Sequence, residues 1–283
     1  MDKSPIAKVI LSRTGQTTRG YDFSRFIGAN FIISSREEVV EITLDNSDNA
    51  LTTINFEHYQ VVLSLGFDTG VSRSAWVANT VYAVDDIVRP VTANGYQYRC
   101  SVAGTSHATT EPTWPTDLGV TVTDGTVTWE MDGNSGEEYA RRAPLRVRSQ
   151  DNLSGPTALR VVLRAIGLLD QMAEDKAEGT LNLASSDTDS CKTKIVAIAG
   201  VTMTGFTNYS AVTLSWDSED SLIDSYKPKE LFSVRLNETR RAKVDELLDY
   251  TGEKVRAQND GKLHFRDPVT TGVVYDYEYK FNV

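Results

Sequence analysis

Short runs of alternating apolar and polar residues constrain the fold of this chain more than any other feature. The runs are rich in Val, Ile, Thr and aromatic residues, and clusters of Gly, Asn, Asp and Ser separate them. Five of them lie at residues 6–11, 31–33, 39–44, 60–65 and 211–216. A period of two is that of a strand with one buried face, so the sequence predicts a mainly β fold.

Residues 159–165 fit two structures. On a strand, Leu159, Val161, Leu163 and Ala165 share one side, whereas Leu159, Val162, Leu163 and Ile166 also fit helical spacing. We therefore expect a β-sheet or barrel-like host domain with one or two helices, which is mainly β with minor α+β character.

One helix is clear near residues 239–251. Asn237 or Thr239 can cap its N-terminus, and Gly252 follows where a left-handed stop is expected. Its apolar stripe consists of Val244, Leu247, Leu248 and Thr251. Two strand-like runs, 253–258 and 262–266, come next and are joined by Asn-Asp-Gly, which predicts a hairpin.

The composition changes at about residue 74. Three of the four tryptophans, Trp76, Trp114 and Trp129, follow closely, and the stretches 66–74 and 132–138 have the composition of linkers. We expect an inserted module at residues 75–133, between a first host part at 1–74 and a second host part at 134–283.

The module is predicted to hold strands at 86–91 and 95–102 and a hairpin at 120–130. So small a module buries little surface, which assigns Trp76, Tyr82, Tyr98 and Trp129 to a core. An exposed ring beside polar groups could instead hold the C–H face of a sugar. Trp114, held between Pro112 and Pro115, is the best candidate for such a glycan-binding platform, followed by Tyr96 and then Trp76.

Residues 75–131 also resemble a known type of module. Five motifs carry this resemblance, in chain order: W-x-x-x-T-x-Y-x-x-x-D-x-V-R-P, N-G-Y-x-Y-R-C, A-G-T-S, E-P-T-W-P and T-D-G-T-V-T-W. It is similar to the small chitin-binding-type carbohydrate modules, in particular those embedded in phage tail proteins. The resemblance implies a compact β module that could recognise a glycan on a host cell surface.

Charge and motifs exclude several functions. The formal net charge of −10 disfavours nucleic acid and anionic membrane as main partners. Residues 1–16 contain no apolar run long enough for a signal peptide or a membrane span, so we expect synthesis in the host cytoplasm and no membrane insertion. Cys100 and Cys191 fit two separate buried thiols better than a disulfide. No cofactor motif is present.

Two acidic stretches could hold metal or act in catalysis. Asp45, Asn46 and Asp48 are possible calcium ligands, but the spacing fits turns built by Asx side chains better. The stretch 216–224 has no histidine near it in sequence and fits a solvated loop better than a catalytic or metal site. We therefore expect no catalytic residue, no metal site and no enzymatic activity.

The host residues resemble phage tail-tip proteins. Thr-Leu-Asp-Asn-Ser-Asp at 43–48, P-K-E-L-F-S-V at 228–234, the helix sequence at 239–252 and N-D-G-K-L-H-F at 259–265 are similar to parts of these proteins. The resemblance implies a virion component, either a baseplate hub or a distal tail ring. It also implies contacts with tail tube, tape measure and fibre proteins.

Such a component would assemble with copies of itself, as a trimer for a hub and as a hexamer for a distal ring. The strand-like run 273–279 is a candidate edge for this contact, although an internal strand fits it equally well. The alternatives are a receptor-binding or carbohydrate-binding adhesin and, third, a tail-associated glycan hydrolase.

Overall fold

The computed structural model describes residues 4–33, 38–155, 158–182, 187–200, 206, 211–229 and 232–268. The chain divides into two compact units, Met1–Gly167 and Leu168–Val283. The predicted edge strand at 273–279 and the strand-like run 273–283 lie outside the described residues. None of the described helices has both the length and the apolar character needed to cross a membrane.

The first unit consists of strands. They are β1 (Ser4–Ser12), β2 (Arg19–Tyr21), β3 (Phe26–Ile33), β4 (Glu38–Asp45), β5 (Gln60–Asp68), β6 (Val81–Tyr82), β7 (Ile87–Val88), β8 (Tyr96–Val102), β9 (Gly104–Thr105), β10 (Thr121–Asp124), β11 (Val127–Asn134), β12 (Glu137–Arg141), β13 (Leu145–Ser154) and β14 (Leu159–Ile166).

An antiparallel sheet in the order β2-β1-β5-β13-β14-β4-β3 forms the body of this unit, and β12 also pairs with β5. Among the described residues no pairing joins β2 to β3, so the sheet is open and not barrel-like. The mainly β prediction is confirmed. Residues 159–165 form a strand, because Val161, Leu163 and Ala165 are buried at every second position while Arg160 and Arg164 are exposed.

The core of the sheet follows directly from this alternation. Val40, Ile42 and Leu44 on β4 face the buried residues of β14 within one apolar cluster. Full burial of such a side chain stabilises a fold by roughly 1.5–3 kcal/mol. The period of two therefore fixes which face of each strand turns inward.

A smaller sheet, β10-β11-β8-β7, and the pair β6-β9 hold the aromatic-rich part of the chain. The hairpin predicted at 120–130 is confirmed, with Gly125 at the turn at a φ of 64°. The strands predicted at 86–91 and 95–102 also pair, although the first is only two residues long. The boundaries of the inserted module, 75 and 133, stay a prediction.

The second unit mixes helices and short strands. They are α1 (Leu168–Glu174), β15 (Leu181–Asn182), α2 (Cys191–Ala199), β16 (Leu214–Trp216), α3 (Ser221–Ser225), β17 (Ser233–Val234), α4 (Arg240–Leu248), β18 (Lys254–Ala257) and β19 (Leu263–Arg266). The described residues thus contain four helices where one or two were expected. The longest of the unpredicted ones, α2, begins at Ser190, whose side chain accepts a hydrogen bond from the Thr193 amide.

The predicted helix and hairpin are confirmed as α4, β18 and β19. Thr239 is the N-cap, since its hydroxyl accepts from the Ala242 amide. The prediction of a left-handed stop at Gly252 is wrong, because α4 ends at Asp249 in a right-handed conformation and Gly252 has no positive φ. The Gly252 amide instead donates to Asp220 at 3.1 Å.

Candidate functional site

A buried carboxylate organises the core of the aromatic module. Asp124 Oδ2 accepts from Trp76 Nε1 at 2.7 Å and from Trp129 Nε1 at 3.0 Å, while its Oδ1 accepts from the His107 amide at 2.8 Å. Trp76 is only 6% exposed. A ring in that position offers no face to a sugar, so its burial matches the core alternative.

Trp114 lies at the border of the same core. Its ring centroid is 4.3 Å from that of Tyr98 and 5.9 Å from that of Trp129, and the ring is half-buried. Its Nε1 donates to Glu111 Oε1 at 2.8 Å, and that oxygen also accepts from the Val91 amide. The ring therefore combines core packing with partial exposure, and its role in glycan binding stays a prediction.

Tyr96, the second-ranked candidate, lines a cleft. This cleft, of about 490 Å³, lies in the first unit between residues 17–24 and the module. The volume falls within the range of about 300–1,000 Å³ that is usual for small-molecule sites. The three candidates pack around one aromatic core, but only Tyr96 reaches the cleft.

Glu137, which also lines the cleft, is held by three hydrogen bonds at what we call the floor of the cleft, formed by Asn134, Glu137 and Tyr139. Its Oε2 accepts from the Asn134 amide at 2.8 Å and from the Tyr139 hydroxyl at 2.9 Å, and its Oε1 accepts from Asn134 Nδ2 at 2.9 Å. The Lys8 ammonium lies 3.9 Å from the centre of the Tyr139 ring. Burial and the neighbouring Glu137 carboxylate raise the pKa of Tyr139, so its hydroxyl stays a donor.

A buried network of charges lies behind this floor. Lys8 Nζ is 2.6 Å from Asp132 Oδ1, and both side chains are almost fully buried. Arg99 contacts both Asp132 and Glu130, and Arg141 contacts Glu130 at 2.6 Å. Burial lowers the pKa of Lys8. Burial alone would raise the pKa of Asp132, but the positive charges of Lys8 and Arg99 outweigh burial and lower that pKa below its usual value.

Sequence analysis did not identify this network. The one available signal was Lys8 itself, a charged residue inside the apolar run 6–11. The other four charged residues of the network, Arg99, Glu130, Asp132 and Arg141, become apparent only once β1, β8, β11 and β12 are placed, since they lie far from Lys8 in the sequence.

The two stretches with linker composition contact each other. Thr69 donates to the Gly136 carbonyl from its amide at 2.9 Å and from its hydroxyl at 2.7 Å. Gln97 Nε2 and Arg73 Nη2 both donate to the Glu137 carbonyl. Both connections between the module and the sheet are therefore held by hydrogen bonds.

The acidic stretch at 45–48 forms turns, as predicted. Asp45 Oδ1 accepts from the Ser47 amide and Asp48 Oδ1 accepts from the Ala50 amide. Asp48 also pairs with Arg25 at 2.6 Å. Within the described ranges, no group of three Asp, Glu, His or Cys side chains is arranged to hold a metal ion. Cys100 and Cys191 are buried and free, as expected.

The second acidic stretch does have a histidine beside it, which corrects the sequence analysis. β16 pairs in parallel with β19, and this brings His264 to Asp217: Nδ1 lies 2.8 Å from Asp217 Oδ1 and Nε2 lies 3.1 Å from Asp260 Oδ1. Ser215 Oγ contacts Asp217, not the imidazole. Both ring nitrogens are thus engaged by carboxylates, and neither activates a nucleophile in this arrangement.

Comparison with models of protein families gives no match, and comparison with curated proteins gives none either. Among solved structures, the chain is similar to the tail protein from Neisseria meningitidis MC58, at 8% identity and a TM-score of 0.46, covering 92% of this chain and 51% of that one. It is also similar to the 43 kDa tail protein of prophage MuSo2 from Shewanella oneidensis, at 8% identity and a TM-score of 0.38, covering 92% and 55%.

The chain therefore spans about half the length of these two structures. Similarity at these TM-scores is too low to carry an argument about the fold or the function of this chain.

Proposed function

We propose that this chain is a structural, non-enzymatic component of a bacteriophage tail tip, as a baseplate hub or a distal tail ring. It would assemble with copies of itself and with tail tube, tape measure and fibre proteins in the virion. The proposal is supported by the resemblance of residues 43–48, 228–234, 239–252 and 259–265 to tail-tip proteins.

A surface of the first unit carries the proposal of self-assembly. An apolar groove of about 730 Å³ is lined in part by Phe23, Leu65 and Phe67. These side chains are 56%, 40% and 50% exposed. Apolar side chains clustered in this way are typical of protein contact sites. The strand β3 adds an edge that has no partner strand on its outer side among the described residues.

The molar mass in solution tests this proposal, measured by size-exclusion chromatography with light scattering over a range of concentrations. We expect a trimer for a hub or a hexamer for a distal ring. The double variant Leu65→Ser/Phe67→Ser should dissociate the assembly. Leu153→Ser is the matched control, because Leu153 is 52% exposed and lies outside the groove.

A wild-type monomer at every concentration would contradict self-assembly and favour an adhesin. Equal dissociation by the control would show that the groove has no special role.

We further propose an accessory contact between the aromatic module and a host-surface glycan. The partial exposure of Trp114 and the position of Tyr96 on a polar cleft support it. A glycan array tests it: binding by the wild type that is lost in Trp114→Ala would favour a platform at Trp114. Absence of any binding would contradict a role in glycan recognition. A hydrolase that uses the His264 imidazole as its base is not proposed, because both ring nitrogens already contact carboxylates.

A further inference from the structure

We propose that the cleft between residues 17–24 and the module binds a neutral oligosaccharide, with Tyr96 as the stacking ring and Asp117 as the polar contact. This inference rests on the glycan contact in the proposed function. It places the sugar at the border between the sheet and the module, away from Trp114, which does not line the cleft.

The charges that line the cleft select the class of ligand. Asp22, Asp117 and Glu137 contribute three carboxylates, against one guanidinium from Arg19. An anionic ligand such as a phosphate or an acidic polysaccharide would meet an excess of like charge. Sugar hydroxyls, in contrast, can donate to carboxylates, and the C–H face of the ring can pack on a tyrosine.

Two side chains of the cleft have capacity left for a ligand. Within the part of the chain that the structure describes, neither the Asp117 carboxylate nor the Tyr96 hydroxyl makes a side-chain hydrogen bond. Glu137 differs, since its carboxylate already accepts three hydrogen bonds from Asn134 and Tyr139. Glu137 thus helps to shape the cleft, while the exposed Asp117 can be changed with little effect on folding. Tyr96 also packs against the aromatic core, so the variant Tyr96→Phe, which keeps the ring, is the control for its fold.

The two walls of the cleft touch each other near Gly20. A Cβ at Gly20 would lie 2.4 Å from the Leu118 carbonyl oxygen, so the two walls touch at that point. A Cβ at Gly133, whose φ is 145°, would lie 2.3 Å from Glu137 Oε2. A larger residue at Gly20 would clash with the backbone of the opposite wall, and one at Gly133 would be strained by the positive φ.

The test is titration of the intact chain with maltotriose, cellotriose and the trimer of N-acetylglucosamine, followed by calorimetry and by two-dimensional amide spectra. Trigalacturonate is the acidic probe and should bind at least tenfold more weakly than the best neutral trimer. Tyr96→Ala and Asp117→Asn should each weaken binding about tenfold, as expected for loss of one ring contact or one charged hydrogen bond. Tyr96→Phe should keep most of the affinity, because the ring remains.

Two controls make the outcome specific. Asp151→Asn removes an exposed carboxylate on β13 that does not line the cleft, and it should bind like the wild type. Thermal unfolding of each variant confirms that the fold is intact. Binding that is lost in Trp114→Ala but kept in both cleft variants would overturn the cleft and leave the glycan contact standing. Failure of every neutral trimer, or tighter binding of trigalacturonate, would overturn the cleft proposal as well, and neither result bears on self-assembly.

Discussion

Replacing Asp124 by alanine should strongly destabilise the aromatic core around Trp76 and Trp129. The carboxylate is 3% exposed and accepts from two indole nitrogens and one backbone amide. Each buried donor left without a partner costs about 1–3 kcal/mol. Since Trp76 Nε1 and Trp129 Nε1 are both buried, we expect a total loss of roughly 2–6 kcal/mol for Asp124→Ala.

The loss for Asp124→Asn should be smaller, roughly 1–3 kcal/mol, because the amide can keep its oxygen toward both indoles and turn its NH₂ group toward the His107 amide. Urea unfolding monitored by tryptophan fluorescence measures both variants. Nitrogen–proton spectra add a second test, since two of the four indole signals should shift in each variant. A loss below about 1 kcal/mol for Asp124→Ala, or an unchanged set of indole signals, would refute this account of the core.

Two further predictions concern pH. Burial, followed by the nearby carboxylates of Asp267 and Asp220, raises the pKa of Glu253, whose Oε2 is buried without a hydrogen-bond partner among the described residues. The charged form of Glu253 therefore opposes folding at pH values above its folded-state pKa. Glu253→Gln should increase the unfolding free energy by about 1 kcal/mol at pH 7 and leave it unchanged below pH 4.5. Denaturant titrations at the two pH values measure this difference. Burial lowers the pKa of His264, but hydrogen bonds to Asp217 and Asp260 outweigh burial and raise that pKa above 6.5. The stabilisation by protonated His264 is therefore complete below pH 6.5 and is lost as the pH rises through the folded-state pKa. The melting temperature of the wild type should exceed that of His264→Gln at pH 5.5 and approach it at pH 9. An equal difference at both pH values would contradict a stabilising contact of protonated His264 with Asp217 and Asp260.

Local patterns were sufficient to predict most of the strands. In β4, the alternation that buries Val40, Ile42 and Leu44 is visible in the sequence, and the cap at Thr239 located α4. The helix α2 was missed because its sequence, CKTKIVAIA, contains β-branched residues that favour strands in isolation. Packing of Ile195 and Ile198 in the core of the second unit overrides that preference.

The candidate site was harder to predict, because it depends on contacts between distant residues. Tyr96 was identified from its place beside an Asn-Gly turn, but the residues opposite it, such as Asp22, are remote in sequence and no local pattern pairs them. The histidine beside Asp217 was missed for the same reason: it arrives through the parallel pairing of β16 with β19. Sequence periodicity assigns a face to each side chain and does not assign its neighbour on another strand.

The buried charges behind the cleft bear on how a ligand would be held. A buried ion pair adds little net stability compared with apolar residues of the same shape, but removing one partner costs about 3–5 kcal/mol. The contact of Lys8 with Asp132, together with the two contacts of Arg99, therefore penalises any rearrangement that separates β1 from β8 and β11. Because the cleft is lined on one side by residues next to β1 and on the other by the module, this penalty opposes widening of the cleft. A ligand that fits would then bind to a site that is already formed, and its affinity would depend on the contacts of Tyr96 and Asp117 rather than on closure of the walls.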